Sequence, residues 1–351
     1  MAVRRFGLPT LCFWLAVIPL LASEGRVPIA TTPTVITSPG HYVLTRNLGP
    51  NPGAGSVIEI EAPHVDLDLN GFQIDNGASG SPTVLVRDGF ADVRIHNGTI
   101  TGGTDSIKAW IGRRLVIEDL NMHFSGGYAL SVVDVDEVVI RNNRISDTAL
   151  EGIYLFSGNP KTGIIEGNQL RRTGSAIRVT DVAGMTIRLN QLEEIFGYGI
   201  LSQHAGGLLI ERNTVESAEE FGIYLEDTRG SKILDNVLHG NTQSGIVLLD
   251  DCDDNFILDN VVTGSANNHG IFIHGNRNHI EGNLSNSNGW CGFQFSSLSS
   301  GNVYRRNFAR GNNGPNCTLA CTTPVVSTTD LCDEGSSNTS ALDNFLPNPG
   351  M

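Results

Sequence analysis

Five side chains in the middle of this 351-residue chain are of the types that general acid–base chemistry uses: His204, Glu226, Asp227, Asp250 and His274. If the segments that carry them stack, carboxylates on neighbouring segments lie ~5 Å apart. Such closeness raises the pKa of one member of a pair. Retaining glycosidases hold two carboxyls at about that separation, and inverting ones hold theirs farther apart. An Asp at a strand end is also an ordinary turn residue, so a structural role competes with catalysis at these positions. Seven further residues, Trp110, Tyr154, Phe156, Arg178, Gln203, Tyr224 and Phe272, offer flat rings beside hydrogen-bonding groups. That combination suits sugar rings. The run Asp250-Asp251-Cys252-Asp253-Asp254 could hold Ca²⁺, although it lacks the spacing of an EF-hand loop. No other cofactor and no metal site is expected.

A repeat must position these residues. The asparagines 143, 168, 190, 213, 236, 260, 283 and 307 are separated by 25, 22, 23, 23, 24, 23 and 24 residues, each behind a β-branched or aliphatic run. A second motif runs in phase: Gly152-Ile153-Tyr154-Leu155, Gly199-Ile200-Leu201, Gly222-Ile223-Tyr224-Leu225, Gly245-Ile246-Val247-Leu248, Gly270-Ile271-Phe272-Ile273 and Gly292-Phe293-Gln294-Phe295. Ala176 takes the glycine place once. A period of this length signals a solenoid, and two-residue alternation selects strands over helices. The expected fold is all-β, with about eleven stacked coils forming a rod roughly 50 Å long at ~4.8 Å per strand. Asn tolerates a left-handed turn and can hydrogen-bond the same Asn one coil away, so the eight asparagines are read as a structural ladder.

In the strand that begins Gly-Ile, the residues flanking the inward isoleucine point outward. Stacking turns them into two rows. One runs Lys108, Ser131, Tyr154, Arg178, Leu201, Tyr224, Val247, Phe272, Gln294; the other runs Trp110, Val133, Phe156, Thr180, Gln203, Glu226, Leu249, His274. Trp110, Tyr154, Phe156, Tyr224 and Phe272 are expected to face solvent unless a loop covers them.

The repeat, with Val35 to Leu44 and Val65 to Ile74 at its start, resembles the right-handed parallel β-helix proteins of the pectin-lyase-like superfamily over residues 35 to about 310. That superfamily includes polysaccharide lyases, glycoside hydrolases, uronan epimerases and NosD-like periplasmic proteins. Asn268-His269-Gly270-Ile271 looks like one element of the polygalacturonase-like hydrolases, but Asp250-Asp251 follows its strand and no Arg-Ile-Lys occurs. The resemblance implies an N-terminal lead-in, a parallel β-helix over 24–310 and a C-terminal cap over 311–351.

Residues 1–23 read as a secretory signal, with Arg4 and Arg5 before the apolar run Leu11 to Leu21. No other segment approaches the length of a membrane span. Secretion or a periplasmic location follows. Five cysteines then remain, Cys252, Cys291, Cys317, Cys321 and Cys332, and a disulfide in the cap is expected with one thiol left over. The formal net charge of −14 argues against nucleic acid as a partner and weakly against anionic glycans. The sequence therefore points to an exported β-helix that binds a polysaccharide or cell-envelope glycan on its outward strip, where cleavage or epimerisation could follow. The alternative is a non-catalytic envelope or structural β-helix. A NosD-like role in metal-centre maturation is opposed by four methionines only and by the lack of metal-ligand spacing.

Overall fold

Two-residue alternation makes each repeat fold into short strands whose alternate side chains enter one narrow core. The computed structural model describes residues 25–312 except 78, 79 and 159–161, and beyond them residues 326, 327, 330–335, 337–340 and 344. The expected signal segment, Cys317 and Cys321 lie outside the described residues. The chain forms a right-handed parallel β-helix of about twelve turns. The 35 strands among the described residues form a single hydrogen-bonded network.

Three parallel sheets run along the rod. The first begins at Thr34–Ile36, passes through Ile153–Phe156, Ile177–Thr180, Ile200–Gln203, Ile223–Glu226, Ile246–Leu249 and Ile271–Ile273, and continues to Phe293–Phe295. The second includes Leu209–Glu211 and Lys232–Leu234, and the third Thr214–Glu216 and Val237–His239. Parallel pairing extends past residue 310. Leu331–Asp333 stacks on Phe293–Phe295, which supplies a turn that the motif spacing does not count. Val326–Ser327 then pairs antiparallel with Leu331–Asp333 and covers part of that edge.

Ile153, Ile177, Ile200, Ile223, Ile246 and Ile271 are fully buried in register, one above another. Glycine precedes most of them because the next wall is too close for a side chain. A Cβ on Gly245 would sit 2.2 Å from Val262 and 3.0 Å from the Gly270 carbonyl oxygen.

The asparagine ladder is continuous from Asn143 to Asn307 and extends to Asn344. Asn213 shows its chemistry. Its Oδ1 accepts from the backbone N–H and the Nδ2 of Asn190, at 3.1 and 2.9 Å. Its Nδ2 donates to Asn236 Oδ1 at 3.0 Å and to the Ile187 carbonyl oxygen at 2.9 Å. The ladder residues do not take the left-handed conformation themselves. That falls to the residue before each one: Asn142, Gly167, Leu189, Arg212, Asp235, Asp259, Gly282 and Arg306, all at φ between 50° and 70°. The reason is geometric: the left-handed residue turns the chain, so the next side chain points inward at the neighbouring turn.

Asn213→Ala should leave the Asn190 donors and the Ile187 carbonyl without a buried partner. The expected loss is about 2–5 kcal/mol of unfolding free energy. Arg212→Gly, at an exposed left-handed position, should change it by less than about 1 kcal/mol. Denaturant titration of both variants checks the contrast.

Candidate functional site

The alternation that buries the isoleucines breaks at the glycine before each one: a Cβ on Gly199, Gly222 or Gly245 would meet the buried Val215, Leu238 or Val262. The residue ahead of that glycine is thereby carried to the outer face. Backbone bonds from Ser106 to Tyr128, Ala176 to Tyr198, Gly199 to Phe221, Gly222 to Ser244 and Gly245 to His269 place these residues in a third row. The repeat motif starts at glycine, and a period of two would turn the residue ahead of it inward, so the sequence pattern does not locate this row.

Where the third row meets the first, a groove of about 470 Å³ opens. Tyr198, Phe221, Tyr224, Phe272 and Trp290 supply its rings. The Tyr224 ring centroid lies 5.2 Å from those of both Tyr198 and Phe221. His269 stacks on Phe272 at 5.9 Å and meets Trp290 edge-on at 5.1 Å. Three polar side chains in the lining are at least nine-tenths buried: Ser244, His269 and Gln294. The Ser244 hydroxyl, His269 Nδ1 and Gln294 Oε1 have no hydrogen-bond partner among the described residues. Buried polar atoms are normally paired, so three orphans in one groove are unusual. Burial also pushes the His269 imidazole down to about 3, which keeps it neutral at ordinary pH. Burial raises the Tyr224 phenol, with Glu226 adding to the effect.

Of the sequence-derived binding residues, Tyr224 and Phe272 line this groove. Gln203 shares the turn of Tyr198 without lining the groove, and Trp110, Tyr154, Phe156 and Arg178 stand on other turns. Lys108 lies 4.5 Å over the Trp110 ring. Tyr154 stacks on Tyr128 at 5.1 Å, with Arg178 5.4 Å from its centroid. Trp110, Tyr154, Phe156, Tyr224 and Phe272 are all half-buried rather than fully exposed. Ring-on-ring and cation-on-ring contacts shield Trp110, Tyr154, Tyr224 and Phe272.

The acid–base candidates fall into three groups beside the groove. Arg178 donates to Gln203 Oε1 at 2.9 Å and to Glu151 at 3.2 Å, and Gln203 Nε2 donates to Glu226 at 2.7 Å. Arg178 is thus linked to the acidic turns through Gln203, although its own strand lies two turns away. His204 lies 3.8 Å from Asp181 and 3.5 Å from Asp227, and His274 lies 3.7 Å from Asp250. Asp181, His204, Asp227 and Asp250 all have positive φ, so each also turns the chain. In the Asp250–Asp254 run, Arg229 pairs with Asp251 and Arg277 with Asp253 and Asp254, which answers the carboxylates that Ca²⁺ would need. Cys252 is buried and free, and burial pushes its thiol up to about 12. Cys291 and Cys332 are buried together at the last turns.

The family model of the periplasmic copper-binding protein NosD matches residues 68–268 and 165–317. The chain belongs to the NosD family. It is accordingly a periplasmic protein, and no helix among its described residues is long and apolar enough to cross a membrane. No curated protein matches this NosD-family chain significantly. A double mutant of the periplasmic alginate epimerase AlgG superposes with a TM-score of 0.60 at 14% identity, over 87% of this chain and 77% of that one. Dettilon tailspike protein gives 0.53 at 14%, over 90% and 61%. The catalytic domain of a GH87 alpha-1,3-glucanase in complex with nigerose gives 0.53 at 11%, over 90% and 62%. At these identities the likeness is one of fold.

Copper, which the family description implies, does not fit the described residues. No group of three or more His, Cys, Asp or Glu is placed to hold a metal ion. Among the buried soft or imidazole donors, Cys252 and His269 serve elsewhere: the Thr228 N–H contacts Cys252 Sγ at 3.5 Å, and His269 stands among rings.

A neutral buried imidazole has a thermodynamic signature. The unfolded chain protonates His269 below about pH 6.5, whereas the folded chain resists protonation down to about 3. Stability should therefore fall as pH drops through that window. In His269→Gln the fall should be shallower, as read by denaturant midpoints from pH 7 to pH 4.

Proposed function

We propose that this NosD-family protein binds a polysaccharide in the periplasm, with the ring-lined groove at Tyr198, Phe221, Tyr224, Phe272 and Trp290 as the main contact. The supporting observation is the pairing of those rings with three buried, unpartnered polar atoms. Rings alone would stack on one another. Orphaned polar atoms at their base are satisfied by a ligand that brings both hydroxyls and an apolar ring face. A sugar chain does both, and the rod presents it with a track parallel to its axis. Beyond the groove, Gln203 and the Tyr154–Arg178 pair continue the same face and would hold further sugar units.

Glu226, Asp227 and Asp250, with His204 and His274, are the candidates for cleaving or epimerising a bound chain. Carboxylates on adjacent turns and imidazoles beside them are the arrangement such proton transfers use. The competing reading is a non-catalytic binding or structural rod, in which the same residues serve as turn formers.

Two measurements separate these readings. In glycan-array or calorimetric binding, Tyr224→Ala should weaken the best glycan by roughly tenfold or more, and a second ring removal, Trp290→Ala, should abolish it. Binding unchanged in the double variant would remove the groove from the account. If the protein turns over the glycan it binds, Asp227→Asn or Asp250→Asn should abolish turnover while binding persists. Full turnover in both would leave those residues as turn formers.

A further inference from the structure

We infer that the groove takes a neutral, hydroxyl-rich pyranose chain rather than a uronate, an inference that rests on the glycan reading above. Besides the Tyr198 and Tyr224 hydroxyls, the polar lining consists of a serine, two amides and an imidazole, contributed by Ser244, Asn268, Gln294 and His269. Among the described residues, no lysine or arginine lines the groove. The charges that reach its rings are mostly negative: Glu226 and Asp250 act on Tyr224, and Glu220 and Glu226 on Tyr198. Arg178, the cation felt at Tyr198, stands on Ile177–Thr180, two turns from Ile223–Glu226 or about 10 Å by strand spacing. It is already bonded to Glu151 and Gln203.

A uronate carboxylate entering this groove would lose water and meet no cation. Burying an unpaired charge costs far more than burying a hydroxyl that finds a partner. A carboxylate would also offer only acceptors to Gln294 Oε1, itself an acceptor. A sugar hydroxyl can donate to that oxygen and can donate to or accept from the Ser244 hydroxyl and His269 Nδ1. The groove runs over five turns, from Tyr198 to Trp290, or about 19 Å at ~4.8 Å per turn. That length fits a chain of sugars rather than a single ring.

The test is calorimetric titration of the protein with neutral glucan, mannan and xylan oligosaccharides and with mannuronate and galacturonate oligomers, each at low and high salt. The expected result is binding to at least one neutral series with an affinity that salt does not change, and at least about tenfold weaker binding of both uronates. Gln294→Leu should weaken the neutral ligand by roughly tenfold. Trp290→Ala, which alters a partly exposed ring and keeps the core intact, should weaken it comparably. Uronate binding equal to or tighter than neutral binding, strengthened at low salt, would overturn this inference and leave the glycan reading standing. Full neutral affinity in both variants would overturn the assignment to this groove. Failure of every glycan to bind would overturn both readings.

Discussion

The buried Asn-to-Asn hydrogen bond between successive turns is the interaction on which the rest of this structure depends. Each ladder amide uses its oxygen twice and its nitrogen twice, so one side chain ties three consecutive turns together. A slip of one residue would break these bonds and would also reverse which side chains enter the core. Because the ladder fixes the register, residues about 23 positions apart in sequence become neighbours ~4.8 Å apart in space. A groove formed by Tyr198, Phe221, Ser244, His269 and Trp290, each from a different turn, exists only on that condition.

The groove also explains how a poorly charged, aromatic-poor protein can hold a specific site. Apolar faces and orphaned polar atoms alternate within one concave surface. The rod supplies its walls from strands whose positions are fixed by backbone bonds above and below. A site built on such a scaffold is preorganised, so binding need not order its contacts. The acidic row beside it belongs to turns, where left-handed Asp and His residues reverse the chain. Any chemistry there is done by groups that already have a structural task.

The fold was largely legible in the sequence because its determinants are periodic. Asparagine spacing, the Gly-Ile motif and the alternation around it located the ladder, the inward stack and both outward rows, and the structure reproduces their register. The left-handed residue was misplaced by one position, since propensity alone cannot tell a turn-forming Asn from one whose amide reaches inward. The site was legible only in part. Tyr224 and Phe272 lie within the repeat motif and were found. Tyr198, Phe221, Ser244 and Trp290 lie ahead of its glycine and were not weighed. The sequence carries no sign that the His269 ring is buried beside Phe272 and Trp290. Side-chain burial is set by contacts between turns, and these appear only once the coil is closed.

Hydrogen exchange with and without saturating oligosaccharide tests the central claim most directly, because it maps the contact surface without relying on a substitution. The account predicts added protection centred on the backbone of Ile200–Gln203, Ile223–Glu226, Ile246–Leu249, Ile271–Ile273 and Phe293–Phe295 and the residues just before each. Protection centred instead on another face, such as the cavity beside Phe124 and His123, would contradict it.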